Sequence, residues 1–160
     1  MQPDGTRARN VGATTVEFAI IATALLTILF AVIEFSRALF VVNTLTEATR
    51  RGARLATVCP IGDPKPARAA AFSASGAAGT IIPGLTSSNV VIEYLDADGA
   101  VVSSPAVNFN AIRYVRVRIV NFQLPLVIPL LMPTVTLDGF ATTVPRESLG
   151  VPRSGTVTSC

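Results

Sequence analysis

Side chains able to hold a proton or a metal are sparse in this sequence. It contains no histidine, which removes the commonest general base and the commonest metal ligand and argues against triad hydrolysis and most zinc chemistry. Glu93, Asp96 and Asp98 form the only acidic cluster, around Asp96-Ala-Asp-Gly99. A calcium loop would need further ligands and a closing Glu, which are missing, so the stretch reads as a hairpin turn. With no convergent constellation elsewhere, no catalytic residue, metal site or cofactor is expected. Cys59 and Cys160 are the two cysteines. A disulfide between them is chemically allowed outside the cytoplasm, where closing about 100 residues contributes up to roughly 4–5 kcal/mol in the loop-entropy model. Two free thiols are the alternative in the cytosol, and neither has a base to activate it.

Glu17 most needs explaining, because it stands at the head of an apolar run from Phe18 to Ile33. A carboxylate at a bilayer centre costs on the order of 3 kcal/mol, less near the interface. One reading puts Glu17 at headgroup level near a helix N-terminus, where the helix dipole favours it. Another cuts the chain after Gly12, so that the free amine of Ala13 lies one helical turn from Glu17 and compensates it, in the same chain or a packed neighbour.

The element carrying Glu17 must be long. No Pro lies between Pro3 and Pro60 and no Gly between Gly12 and Gly52, so a helix from Ala13 to about Val58 is unbroken. At 1.5 Å per residue it would measure roughly 65–70 Å, about twice a bilayer's hydrocarbon thickness. Residues 13–35 form its membrane half, lengthened by snorkelling of Glu34 and Arg37. Residues 36–58 form an amphipathic stalk, with Phe35, Leu39, Val42, Leu45 and Ala48 as a stripe suited to packing on a sheet. Thr15, Ala19, Thr23, Thr27 and Ala31 recur every four residues as small side chains, a candidate helix-packing face in lipid. Arg7 and Arg9 before the run suggest a signal peptide, but Glu17 and the direct passage into further helix favour a retained anchor. Arg50, Arg51 and Arg54 read as a solvated helix face. A net charge of +3 with scattered arginines gives no concentrated basic face for nucleic acid.

Beyond Cys59-Pro60 the sequence suggests a short helix over 67–78 closed by Gly79, a strand over 89–95 returning over 100–104, and the strongest strand over 112–122. There Val115, Val117 and Ile119 share one face while Arg116 and Arg118 share the other. Leu124 to Met132 is apolar but broken by prolines, and reads as an irregular packed segment. Residues 134–144 read as a last strand and 150–159 as a loose tail. The fold class is therefore α+β: a long N-terminal transmembrane helix packed on a small, mainly antiparallel sheet of about four strands, an arrangement that the resemblance given next would make pilin-like. The domains are a leader over 1–12, the helix over 13–58 and an outer domain over 59–160.

Gly12-Ala-Thr-Thr-Val-Glu17-Phe18 resembles a prepilin peptidase site, with Gly before the cut, Glu fifth after it and an aromatic sixth. Together with Ile33-Glu-Phe-Ser-Arg-Ala-Leu-Phe40 and Ala48-Thr-Arg-Arg-Gly-Ala-Arg54, it resembles the TadE-like family, pseudopilins or minor pilins of the tight adherence (Flp) type IV pilus system. Phe18 stands where many members have Tyr. The resemblance implies a non-enzymatic subunit cut between Gly12 and Ala13, with Glu17 and Phe18 as recognition and assembly residues. It also implies an extracytoplasmic domain anchored by one span in the bacterial inner membrane. Its partners would be a prepilin peptidase, other pilins or pseudopilins, the inner-membrane assembly platform and the lipid bilayer. The rival reading is an unprocessed single-pass protein whose outer domain binds a ligand or an envelope partner.

Overall fold

The computed structural model describes residues 8–160 except 78, 80, 128–133, 152–154, 156 and 158, with backbone alone at 8–11. It has a long N-terminal apolar helix and small antiparallel sheets, an α+β layout. Helix α1 runs Ala8–Ala56, so residues 8–12 of the expected leader already belong to it. Gly12 lowers helix propensity by about 1 kcal/mol but does not break a helix as Pro does. The chain divides into two compact units, one up to Ala38 and one over Leu39–Cys160, with α1 contributing to both.

Within the second unit, the last turns of α1 carry the core. The buried row is Val41, Leu45, Ala48, Thr49, Ala53 and Ala56, with Gly52 also buried. This corrects the expected stripe. Leu45 and Ala48 lie on it, whereas Leu39 is 48% exposed and, in the first unit, Phe35 is 66% exposed. Small residues at the 3–4 spacing, joined by Val41 and Leu45 at its start, form the packed face. A Cβ at Gly52 would fall 2.9 Å from Ala70 Cβ and 3.2 Å from Val117 Cγ1. No side chain fits between this turn of the helix and its neighbours without movement. Ala53, Ala56, Ala70, Val115 and Val117 then form one cluster with Tyr94, Ile112 and Leu149. Thr49, buried in the same row, shares a hydrogen bond with the Thr142 hydroxyl at 2.8 Å and donates to Thr46 O at 2.8 Å, so its burial leaves no unmet polar group.

Helix α2 covers Lys65–Ala70, earlier and shorter than expected. Phe72 takes a left-handed φ of 52° and Ser73 N–H closes back on Arg68 O at 3.0 Å, which ends the helix before the alanine-rich stretch is used. Ala78, at the end of the expected helix, lies outside the described residues.

Strands β1 (Val90–Leu95), β2 (Tyr114–Ile119) and β5 (Phe140–Pro145) form an antiparallel sheet in the order β1-β2-β5, while β3 (Phe122–Pro125) pairs antiparallel with β4 (Thr134–Leu137). The expected single strands over 112–122 and 134–144 are each divided in two. Their ladders keep one register, Ile119 opposite Phe140 and Phe122 opposite Leu137, so β2-β3 and β4-β5 are the arms of one hairpin with a shared bend. At that bend Asn121 has φ 53°, Gly139 has φ 90°, and Asn121 N–H donates to Asp138 Oδ1 at 2.7 Å. The expected return strand over 100–104 is reduced to a single bridge between Leu95 and Val101, ended where Ser104 turns left-handed. The apolar stretch over 124–132 is strand as far as Pro125; residues 128–133 lie outside the described residues.

The expected loose tail is tied down in part. Leu149 N–H and Gly150 N–H donate to Thr57 O and Val58 O at 2.9 and 2.8 Å, Leu149 is buried, and Cys59 is bonded to Cys160. Two outcomes follow from this packing. Gly52→Ala should gain about 1 kcal/mol in helix propensity and lose roughly 1–3 kcal/mol to overpacking, a net loss that the second change Ala70→Gly should largely relieve; denaturant unfolding of the full chain in detergent measures both. Cys160→Ser should lower stability by about 2–5 kcal/mol in the same assay.

Candidate functional site

The first turns of α1 present the residues singled out in the sequence. Gly12 to Ile21 are all exposed, with Phe18 at 73% and Ile21 at 67%. Gly12 has open space around the position of a Cβ. Ala13 and Glu17 stand one turn apart on the helix, and among the described residues no ion pair or hydrogen bond engages the Glu17 carboxylate.

The helix from Gly12 to Ala56 is long and apolar enough to cross a membrane, and its most apolar stretch is wholly unburied. A core helix of a water-soluble domain would have that stretch covered, so this surface fits lipid or another apolar partner. The small residues Ala19, Thr23, Thr27 and Ala31 are all exposed. Thr23 donates to Ala19 O at 2.7 Å and Thr27 to Thr23 O at 2.8 Å, so the hydroxyls are satisfied within the helix and the row behaves as a smooth, low surface. Val16, Ala19, Ile20, Thr23 and Ala24 line a shallow apolar depression there. Beyond this run, Glu34 and Arg37 pair at 2.6 Å.

Two of the three carboxylates in the acidic cluster, those of Glu93 and Asp96, have structural tasks. Glu93 sits opposite Arg116 in the β1–β2 ladder, and its two oxygens meet Arg116 and Arg118 at 2.6 Å each. Burial pushes the Glu93 carboxyl up, but the hydrogen bonds and charges of the two arginines outweigh it and hold it below the usual glutamate range. Asp96 Oδ1 accepts from Asp98 N–H at 3.0 Å and Ala100 N–H at 2.9 Å, shaping the turn at which Gly99 has φ 82°. These three carboxylates do not converge on a common point of chemistry. Among the described residues no group of three or more Cys, Asp or Glu is placed to hold a metal.

Of the stalk arginines, Arg50 and Arg54 are exposed, and Arg51 lies 5.5 Å from the centre of the Phe72 ring, a stacking contact hidden in sequence because Phe72 lies 21 residues on, in the turn after α2. The Arg50-Arg-Gly-Ala-Arg54 segment thus has two sides. Its arginines face outward, while Gly52 and Ala53 make the closest approach of α1 to α2 and β2.

Residues 12–54 match the family model described as TadE-like protein. Comparison with curated proteins and with solved structures finds no match. The matched segment begins at Gly12 and ends at the last residue of the arginine segment. It therefore contains the proposed cut, the exposed apolar helix and the Gly52 contact.

Because the folded Glu93 carboxyl titrates below its unfolded value, its contribution is present above the unfolded value and lost as pH falls through the folded one. Glu93→Gln should cost about 1 kcal/mol near neutrality, a modest figure because Arg116 and Arg118 are partly solvated, and should flatten the acid limb of a stability-versus-pH curve.

Proposed function

We propose that this chain is a pilin-like subunit of a tight adherence pilus, cut between Gly12 and Ala13 by a prepilin peptidase and taking part in assembly without catalysis of its own. The observation carrying this reading is the coincidence of the TadE-like match over 12–54 with a Gly-cut-Glu-Phe spacing at the head of an exposed apolar helix. Gly12 is the weakest helix former of its turn and has no neighbour to clash with, which suits a bond that must enter a protease. After the cut, the Ala13 amine supplies the cation that Glu17 lacks within the described chain, either in its own helix or across to a neighbour. The row Ala19, Thr23, Thr27 and Ala31 lets another helix approach closely in lipid.

In this reading the span lies in the inner membrane with the domain outside. The Cys59–Cys160 bond supports that side, since disulfides persist in oxidising compartments. The partners are the peptidase, other pilins or pseudopilins, the assembly platform and the bilayer.

Intact mass of the protein from membranes with and without the peptidase should show a chain starting at Ala13 only where the peptidase is present. Glu17→Ala should keep the protein in the membrane and abolish or strongly reduce pilus formation. A leader retained in both strains, or full piliation by Glu17→Ala, would sink the assignment.

A further inference from the structure

The outer unit has a concave basic surface whose cations form no ion pair among the described residues. Arg51 from α1 and Lys65 and Arg68 from α2 line a pocket of about 430 Å³, with Phe72, Ser73 and Ile81 on its walls. This falls in the range of clefts that bind a compact ligand. Among the described residues no acidic side chain lines it. Of the carboxylates near these cations in sequence, Asp63 accepts the backbone N–H of Lys65 at 2.7 Å, and Glu47, one helical turn before Arg51, forms no ion pair with it. Arg116 and Arg118, by contrast, are matched by Glu93. Three cations in a concavity with apolar walls focus a positive potential, and the Phe72 ring under Arg51 fixes one of them in place.

The same unit carries a complementary feature. Ala97, Asp98 and Gly99 are exposed at the turn after β1, and a Cβ at Gly99 would meet nothing within 4 Å. The turn is shaped by Asp96 Oδ1 and by the backbone N–H of Asp98, so the Asp98 carboxylate is not used to build it. Among the described residues that carboxylate has no partner.

We propose that the Arg51, Lys65, Arg68 pocket receives the Asp96–Gly99 turn of a second copy of this chain. A small protruding turn with two carboxylates fits a basic hollow with apolar walls better than a flat headgroup surface does. Two different patches meet in such a contact, so each copy carries both halves of it. It does not depend on whether the leader is cut.

Lys65 is the single lysine of the sequence, which makes a zero-length carbodiimide cross-link diagnostic. Full-length protein labelled with nitrogen-15 is mixed with unlabelled protein in detergent or nanodiscs, coupled, and mapped by mass spectrometry. The expected product is an amide between Lys65 of one copy and Asp98 or Asp96 of the other, in mixed-label pairs. Its yield should fall several-fold in ~1 M salt, where the screening length is about 3 Å. Arg68→Glu should reduce it similarly, and Asp98→Asn should remove the Asp98 product, both with unchanged circular dichroism. The contact is overturned if Lys65 couples only within its own copy, or to other carboxylates of its neighbour. It is equally overturned if Arg68→Glu leaves the yield intact, or if the pocket binds inorganic phosphate while no inter-copy product forms.

Discussion

The close approach of α1 to a strand and a second helix at once depends on the small residues Gly52-Ala53. At Gly52 a single added carbon would stand 2.9 Å from Ala70 and 3.2 Å from Val117. The contact binds three elements distant in sequence into one core. It also explains why an arginine-rich segment contains a glycine: Arg50, Arg51 and Arg54 are exposed while the residues between them are compressed. Thr49 continues the seam to β5 through Thr142. Beyond the end of the helix, the segment at 149–150 closes on Thr57 and Val58, and Cys160 on Cys59.

That arrangement gives one helix two physical environments. Among the described residues its apolar side chains are exposed up to Ile33 and Phe35 apart from half-buried Ala22, and from Val41 to Ala56 they are buried or half-buried. The family match spans both parts. In the functional reading proposed above, the first part belongs to lipid and neighbouring helices and the second holds an outer domain to the anchor. The charge pattern follows the same division. The lone Glu17 sits where a processed N-terminus would answer it, while Glu93 is answered by two arginines of its own sheet.

Much of this was legible from residue types. Freedom from Pro and Gly marked the long helix, alternation placed Val115, Val117 and Ile119 on the buried side of β2, and Asp-x-Asp-Gly marked a turn. The division of the last strand was missed although Asp138-Gly139 is a turn dipeptide; nothing at Asn121 alone announces the matching bend, which needs the two facing positions and the hydrogen bond between them. The packed stripe was caught at Leu45 and Ala48 and missed elsewhere. Hydropathy favours large side chains such as Phe35 and Leu39, whereas close packing here also selects Gly52, Ala53 and Ala56. The short α2 escaped too, since an alanine-rich stretch favours helix until the left-handed Phe72 stops it.

The division of α1 into a lipid-facing part and a protein-facing part is the centre of this account. Spin labels placed one at a time along residues 18–56 of the full chain in liposomes, with accessibility to oxygen and to a water-soluble nickel reagent, test it directly. The account predicts oxygen accessibility without nickel accessibility on every side of the helix between Ile20 and Val32. It predicts protection from both reagents, repeating at helical spacing, at Val41, Leu45, Ala48 and Ala53. Nickel accessibility throughout the first stretch, or no periodic protection in the second, would contradict it.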